Sequence, residues 1–165
     1  MASAARRLET LGRVVARSSL YLTEPVGYVD QPRFVNAAAA LETDLAPRAL
    51  LDGLLAIERE FGRDRTQSIL NGPRTLDLDI LLFGDSCIRE SGLEIPHPRL
   101  AERAFVLFPL SEIASQAVIP GQNKTVAQLL HQLIEQRKGE PDAVVKIQSD
   151  VWRSGLHNVA GGVDA

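Results

Sequence analysis

Hydrophobic and polar positions first alternate over residues 14–22, where Val15, Arg17, Ser19 and Tyr21 interleave with Val14, Ala16, Ser18, Leu20 and Leu22. A period of two sends each set to its own face of an extended chain, so the spacing predicts a strand with one apolar and one wet face. Ahead of it, residues 4–11 are good helix formers and stop at Gly12, a residue that favours a helix end. Behind it, residues 23–33 hold Pro25, Gly27, Asp30 and Pro32, a density of turn formers that predicts a loop. Residues 34–45 resume as strand, with alanines that suit a closely covered sheet. Ala46-Pro47 then opens a helix in which Leu50, Leu51, Leu54, Leu55, Ile57 and Phe61 make a stripe of helical period, ended by Gly62.

The second half begins with a charged and polar stretch, 63–74. A strand over 75–83, a turn at Gly84-Asp85 and a short strand around 87–89 follow, and the spacing predicts that the two strands pair as a hairpin. Pro96-His97-Pro98-Arg99 is loop, 103–113 reads as helix with a kink at Pro109, and 125–137 is an amphipathic helix with Val126, Leu129, Leu130, Leu133 and Ile134 inward. The expected organisation is one domain over 1–150 and a frayed tail over 151–165, in which the setting of Trp152 stays open. Strands interleaved with helices predict an α+β sandwich, its mostly antiparallel sheet covered by helices.

Composition narrows the function classes. A chain of 165 residues, 45% hydrophobic and 24% charged, suits a single globular domain with a real core. A net charge of -3 and a pI near 5.6 argue against a protein that coats nucleic acid, and leave room for a local basic pocket around a small phosphorylated ligand. Cys87 is the only cysteine, which excludes an internal disulfide and a multi-cysteine metal site and points to the cytoplasm. There is no uninterrupted apolar run of about 18 residues, so no membrane association is expected. Residues 2–7 fit an amphipathic surface helix, with an organelle transit peptide as the second reading.

The informative chemistry lies in Gly72-Pro73-Arg74-Thr75-Leu76-Asp77-Leu78-Asp79-Ile80-Leu81-Leu82-Phe83. Two positions along a strand are one side-chain period, so Asp77 and Asp79 share a face, about 6.6 Å apart along the chain. Two neighbouring carboxylates repel and resist burial unless a cation sits between them, and all-oxygen ligands favour magnesium held together with substrate phosphates. The alternative is a solvated strand face on which both acids pair with arginines. Arg59, Arg63, Arg65 and Arg74 crowd the approach to the acids, and Arg99 and Arg103 surround His97. Guanidinium forks suit phosphate oxygens, although each arginine taken singly also reads as surface charge. His97, between two prolines, suits a phosphate or ribose contact or an ordinary structural hydrogen bond. His131 and His157 have no such context, and Cys87 reads as a small buried hydrophobe.

The run from Gly72 to Asp79 resembles the signature of the 6-hydroxymethyl-7,8-dihydropterin pyrophosphokinases. Further likeness lies in Tyr21 and Thr23, in Asp30-Gln31-Pro32 ahead of Phe34-Val35-Asn36-Ala37-Ala38, in Ile57-Glu58 with Gly62-Arg63, and in Pro96-His97-Pro98-Arg99 with Arg103 and Phe105. The resemblance implies a ferredoxin-like α/β sandwich that moves pyrophosphate from ATP to a pterin alcohol, with AMP as the second product. It also implies that Asp77 and Asp79 hold two Mg2+ ions and that Arg63 and Arg74 clamp the transferring phosphates. Glu58, Ile80, His97 and Arg103 would line the ATP side, while Thr23, Pro25, Val26, Phe34, Asn36 and Phe105 would take the pterin. A functional link to dihydropteroate synthase follows from the product.

The sequence departs from that pattern in three places. Asn71 precedes Gly72 where an aromatic is common, and Pro98 follows His97 where some relatives have tyrosine. No family-type apolar first strand precedes Arg6, and the expectation is a start assigned too late, ahead of a truncated variant or a fragment completed by another chain; strands beside the missing one would have unpaired edges. A pterin- and ATP-binding module without catalysis is the alternative function. An RNA-binding domain of similar topology would need a basic sheet face with exposed aromatics, against 5% aromatic residues here.

Overall fold

The computed structural model describes residues 2–23, 33–62, 76–137, 144–147, 149 and 152. Pro25, Val26, Arg63 and Arg74 lie outside the described residues. In chain order the elements are α1 (Ala2–Leu8), β1 (Arg13–Arg17), β2 (Leu20–Thr23), β3 (Phe34–Asn36), β4 (Ala39–Glu42), α2 (Pro47–Glu60), β5 (Ile88–Glu90), β6 (Leu93–Ile95), a 3-10 turn (Leu100–Glu102), α3 (Ala104–Ala114), β7 (Val118–Ile119), β8 (Lys124–Thr125), α4 (Val126–Gln136) and β9 (Val144–Ile147).

The alternating stretch near the start folds as one bent ribbon. β1 pairs antiparallel with β4 from Arg13↔Glu42 to Arg17↔Ala39, and β2 pairs with β3 from Tyr21↔Asn36 to Thr23↔Phe34. Between the two ladders Ser18, Ser19 and Leu20 stand opposite Ala37 and Ala38, so one strand carries an extra residue and the ribbon breaks there as a bulge. Ser18 repairs the break: its N–H donates to the Ala38 carbonyl at 2.9 Å and its Oγ accepts from the Ala38 N–H at 2.9 Å. Buried backbone groups need such partners, and Ser18 is itself buried. β9 pairs antiparallel along the other edge of β2, giving the order β3-β2-β9.

Helices cover these strands. Pro47 starts α2 at a position where its missing N–H costs nothing, and Leu50, Leu54 and Ile57 turn inward at helical spacing. Against α2 lies α1, where Ala4 and Ile57 meet Leu76, with Leu8, Leu11, Phe61 and Leu78 around them. The α1–β1 turn presses on β4 so closely that a Cβ at Gly12 would fall 2.3 Å from the Glu42 carbonyl oxygen, which accounts for glycine there. The main core gathers Ala38, Leu100, Ala104, Leu107, Leu110, Ile119, Val126, Leu129 and Leu133 from the approach to β4, the 3-10 turn, α3, β7 and α4. Pro109 is accommodated inside α3, and Thr125 starts α4 with a full capping box: its hydroxyl accepts from Gln128 N–H while the Gln128 side chain accepts from Thr125 N–H. All the strand ladders among the described residues are antiparallel, so the chain is α+β.

Three expectations fail. Residues 76–82 run extended but belong to no ladder among the described residues, and the segment's one bridge, Phe83↔Asp85, is isolated. β5 instead pairs with β6 around a tight turn in which Gly92 has a φ of 72°, so the expected hairpin between 75–83 and 87–89 does not form. Alternation specifies extension and facing; it does not name the partner. Cys87, expected inside, is exposed. Trp152, left open by the sequence, is buried against Ala5 and Leu20. Its indole N–H donates to the Ser18 carbonyl at 2.6 Å, and the Arg17 guanidinium lies 5.6 Å from the ring centroid.

Candidate functional site

The extended segment 76–82 and the edge of the ribbon at β3 and β4 border the same groove, of about 1990 Å³, which α3 and side chains of α1 and α2 also line. Along the segment, Leu76 is buried, Asp77 exposed, Leu78 half-buried, Asp79 exposed and Ile80 half-buried. Leu76 and Leu78 sit in the α1–α2 cluster, which leaves both carboxylates on the other face, as the two-residue period predicts.

The segment is held from behind by hydrogen bonds to side chain and loop. Glu58, on the inner face of α2 and only 1% exposed, accepts the Leu78 N–H on Oε1 at 2.8 Å. The residue between the two aspartates is thereby fixed to a buried carboxylate. His97 donates its backbone N–H to the Leu81 carbonyl at 2.9 Å, and its Nδ1 accepts from the Arg99 N–H at 3.1 Å. With Nδ1 accepting, the ring hydrogen belongs on Nε2, which stands 3.9 Å from Asp79 Oδ2. Arg103, just before α3, shares this neighbourhood. Burial and the nearby Arg99 press its guanidinium below the ordinary value, while Asp79 and Asp77 pull it back up. Its guanidinium also lies 5.6 Å from the Phe105 ring centroid.

At the ribbon end of the groove, the Asn36 amide donates to Thr23 Oγ1 at 2.8 Å across the β2–β3 ladder. Thr23, Phe34, Asn36, Asp77, Asp79, Ile80, Arg103 and Phe105 all line the groove. Glu58 and His97 do not line it but brace the segment that carries the acids. Sequence reasoning missed that Glu58 holds the aspartate segment by its backbone.

The donor set bears on a metal. Among the described residues no cluster of three or more His, Cys, Asp or Glu side chains is placed to hold an ion. Two aspartates on one face of an extended chain fit magnesium, which takes one or two protein carboxylates and completes its shell with water and phosphate oxygens. They do not fit a structural zinc site, which needs four nitrogen or sulfur ligands. No helix among the described residues is long and apolar enough to cross a membrane.

Known proteins match this chain closely. The 2-amino-4-hydroxy-6-hydroxymethyldihydropteridine pyrophosphokinase of Pseudomonas aeruginosa is 54% identical over 108 residues, which are 66% of this chain and 65% of that protein. The protein of the same name from Haemophilus influenzae is 46% identical over 123 residues, 74% of this chain and 72% of its own length. That from Bacillus subtilis is 52% identical over 99 residues, 60% of this chain and 58% of its own. The matched region thus spans less than two thirds of the Pseudomonas and Bacillus proteins. The profile described as 7,8-dihydro-6-hydroxymethylpterin-pyrophosphokinase matches residues 1–115, well over half of the chain. With its paired aspartates, bracing glutamate and arginine-lined groove, the chain belongs to the 7,8-dihydro-6-hydroxymethylpterin-pyrophosphokinase family.

Proposed function

We propose that this chain transfers pyrophosphate from ATP to 6-hydroxymethyl-7,8-dihydropterin. The observation that carries the reading is one groove that holds two same-face aspartates and Arg103 together with Thr23, Phe34, Asn36 and Phe105. A triphosphate needs the first set; a flat, hydrogen-bonding heterocycle needs the second.

In this reading the hydroxymethyl oxygen of the pterin attacks the β-phosphorus and gives up its proton to water, the bond from the β-phosphorus to the oxygen shared with the α-phosphate breaks, and AMP leaves with that oxygen. Such a reaction needs alignment and charge neutralisation more than covalent help from the protein. Asp77 and Asp79 would hold two magnesium ions, which when bound supply neutralisation of the phosphate charge. Glu58 keeps the aspartates in place through Leu78, and Arg103, with Ile80 and His97 nearby, faces the nucleotide. Arg63 and Arg74 would complete the clamp on the phosphates. Phe34 and Phe105 offer the pterin two ring faces. Asn36, its amide N–H already given to Thr23, turns the rest of that amide to the ring edge, and Pro25 and Val26 would close the pocket. A ferredoxin-like arrangement, a cytoplasmic setting and delivery of the product to dihydropteroate synthase belong to the same proposal.

The test is AMP formation by the purified chain with ATP, Mg2+ and the dihydropterin. Asp77→Ala and Asp79→Ala should each lower turnover by roughly a hundredfold or more, the scale on which removing a charge-stabilising group acts. Binding of the pterin alone should change by no more than about twofold, since neither acid is assigned to the ring. Ordinary turnover in either variant would remove the metal-site reading, and dihydropterin binding without AMP from the parent chain would make it a binding module.

A further inference from the structure

We infer that Glu112 is a positioning residue for the pterin end of the groove: it sets where α3 stands along β2, and so how Phe105 lies relative to Thr23 and Asn36. The inference rests on the functional reading above.

Glu112 follows Ser111 and is the one charged residue of α3, between Leu110 and Ile113. Its carboxylate draws donors from three places on the ribbon and its flank: the Ser19 backbone N–H at the bulge, the Tyr21 hydroxyl on β2, and the Lys146 ammonium on β9. Burial alone would raise this carboxyl; the hydrogen bonds from Lys146, Ser19 and Tyr21 outweigh it and hold Glu112 below its ordinary 4.5. A carboxylate with several charge-assisted bonds is a fixed point in the packing.

The register follows from two contacts and a shared groove. Glu112 meets Ser19, the Phe108 and Tyr21 rings lie 6.2 Å apart, and Phe105 lines the same groove as Thr23. As the chain descends α3 from 112 to 108 it climbs β2 from 19 to 21, so helix and strand run antiparallel, and continuing both leads to Phe105 and Thr23. Seven helical residues are two turns, which returns Phe105 to the face of Glu112 about 10.5 Å away. Four strand positions cover about 13 Å and keep Thr23 on the face of Tyr21. The spans nearly match, so a pin at Glu112 sets the aromatic face at one end against the Thr23–Asn36 pair at the other. Lys146 lowers the Glu112 carboxyl more than Ser19 or Tyr21 does, yet it counts least in fixing where α3 stands, because half of its side chain is exposed and surface ion pairs are weak.

The experiment compares the parent chain with Glu112→Ala, Glu112→Gln, Tyr21→Phe and Lys146→Ala, measuring dihydropterin Kd, the KM for ATP, kcat and thermal unfolding. Glu112→Ala should weaken dihydropterin binding about tenfold or more with the ATP KM within about twofold, since small misplacements of a binding group cost that much. Glu112→Gln, which still accepts from Ser19, should lie between the parent and Glu112→Ala, Tyr21→Phe should raise the dihydropterin Kd about threefold, and Lys146→Ala should stay within about twofold. Should Glu112→Ala fail to fold, Glu112→Gln and Tyr21→Phe decide. Unchanged dihydropterin binding in both, or parallel losses for both substrates, overturns the inference. A parent chain that binds dihydropterin without forming AMP removes the transfer reading while the Kd series still judges Glu112; one that binds no dihydropterin removes both.

Discussion

Tyr21 shows how a single side chain reports the packing around it. Its hydroxyl is pushed up to about 12, first by burial and then by its hydrogen bond to the Glu112 carboxylate, against 10.0 ordinarily. Both causes favour the neutral phenol. Between those two values the folded chain keeps a proton that the unfolded chain has lost, so the stability contributed by Tyr21 is complete below about pH 10 and drains away as pH rises through 12. Ultraviolet titration of the phenolates should place Tyr21 near that upper value, and in Glu112→Ala it should move down part of the way, since burial remains. A Tyr21 that ionises at its ordinary value would mean that neither burial nor Glu112 acts on it in solution.

At the scale of elements, α4 illustrates local encoding. Val126, Leu129 and Leu133 face the core at helical spacing, and Thr125 with Gln128 closes the first turn by reciprocal bonds. Thr125→Ala removes the acceptor for one otherwise unpaired helix N–H and should cost about 1 kcal/mol in urea unfolding, with faster amide exchange in the first turn of α4; Thr125→Ser should recover most of it. An unchanged midpoint would mean that packing alone holds that end. The segment 76–82 is the opposite case. Its residues are extended and its side chains alternate, yet it is tied down by Glu58 and by the His97 backbone instead of by a ladder.

Across the whole molecule, Trp152 joins parts of the chain that are far apart in sequence. It packs with Ala5 of α1, Leu20 of β2 and Ile147 of β9, bonds the bulge at Ser18, and receives Arg17, whose other contact is Glu9 Oε1 at 2.9 Å. Trp152 is the only tryptophan, so its fluorescence is an unambiguous probe of this junction. Its emission should shift to the red in the same transition that circular dichroism records, and Trp152→Ala should destabilise the fold by about 3–5 kcal/mol, the range for emptying a buried aromatic site. A fluorescence change that precedes the loss of helix would show that the junction opens by itself.

Whatever repeats or lies close along the chain could be read from residue order. Helical spacing located α2, α3 and α4 to within a residue or two, a two-residue period put Asp77 and Asp79 on one face, and a contiguous motif around them disclosed the family. These are readable because period and motif are properties of neighbouring residues. Tertiary structure alone decided that β5 takes β6 as its partner, that three residues face two at the Ser18 bulge, that Glu58 accepts Leu78, that Glu112 collects Ser19 and Tyr21, and that Trp152 closes on Ser18 from 134 positions away. Each of those is a choice among distant surfaces that local spacing leaves equal, and burial together with the need to pair buried polar groups settles the choice only once the chain has folded.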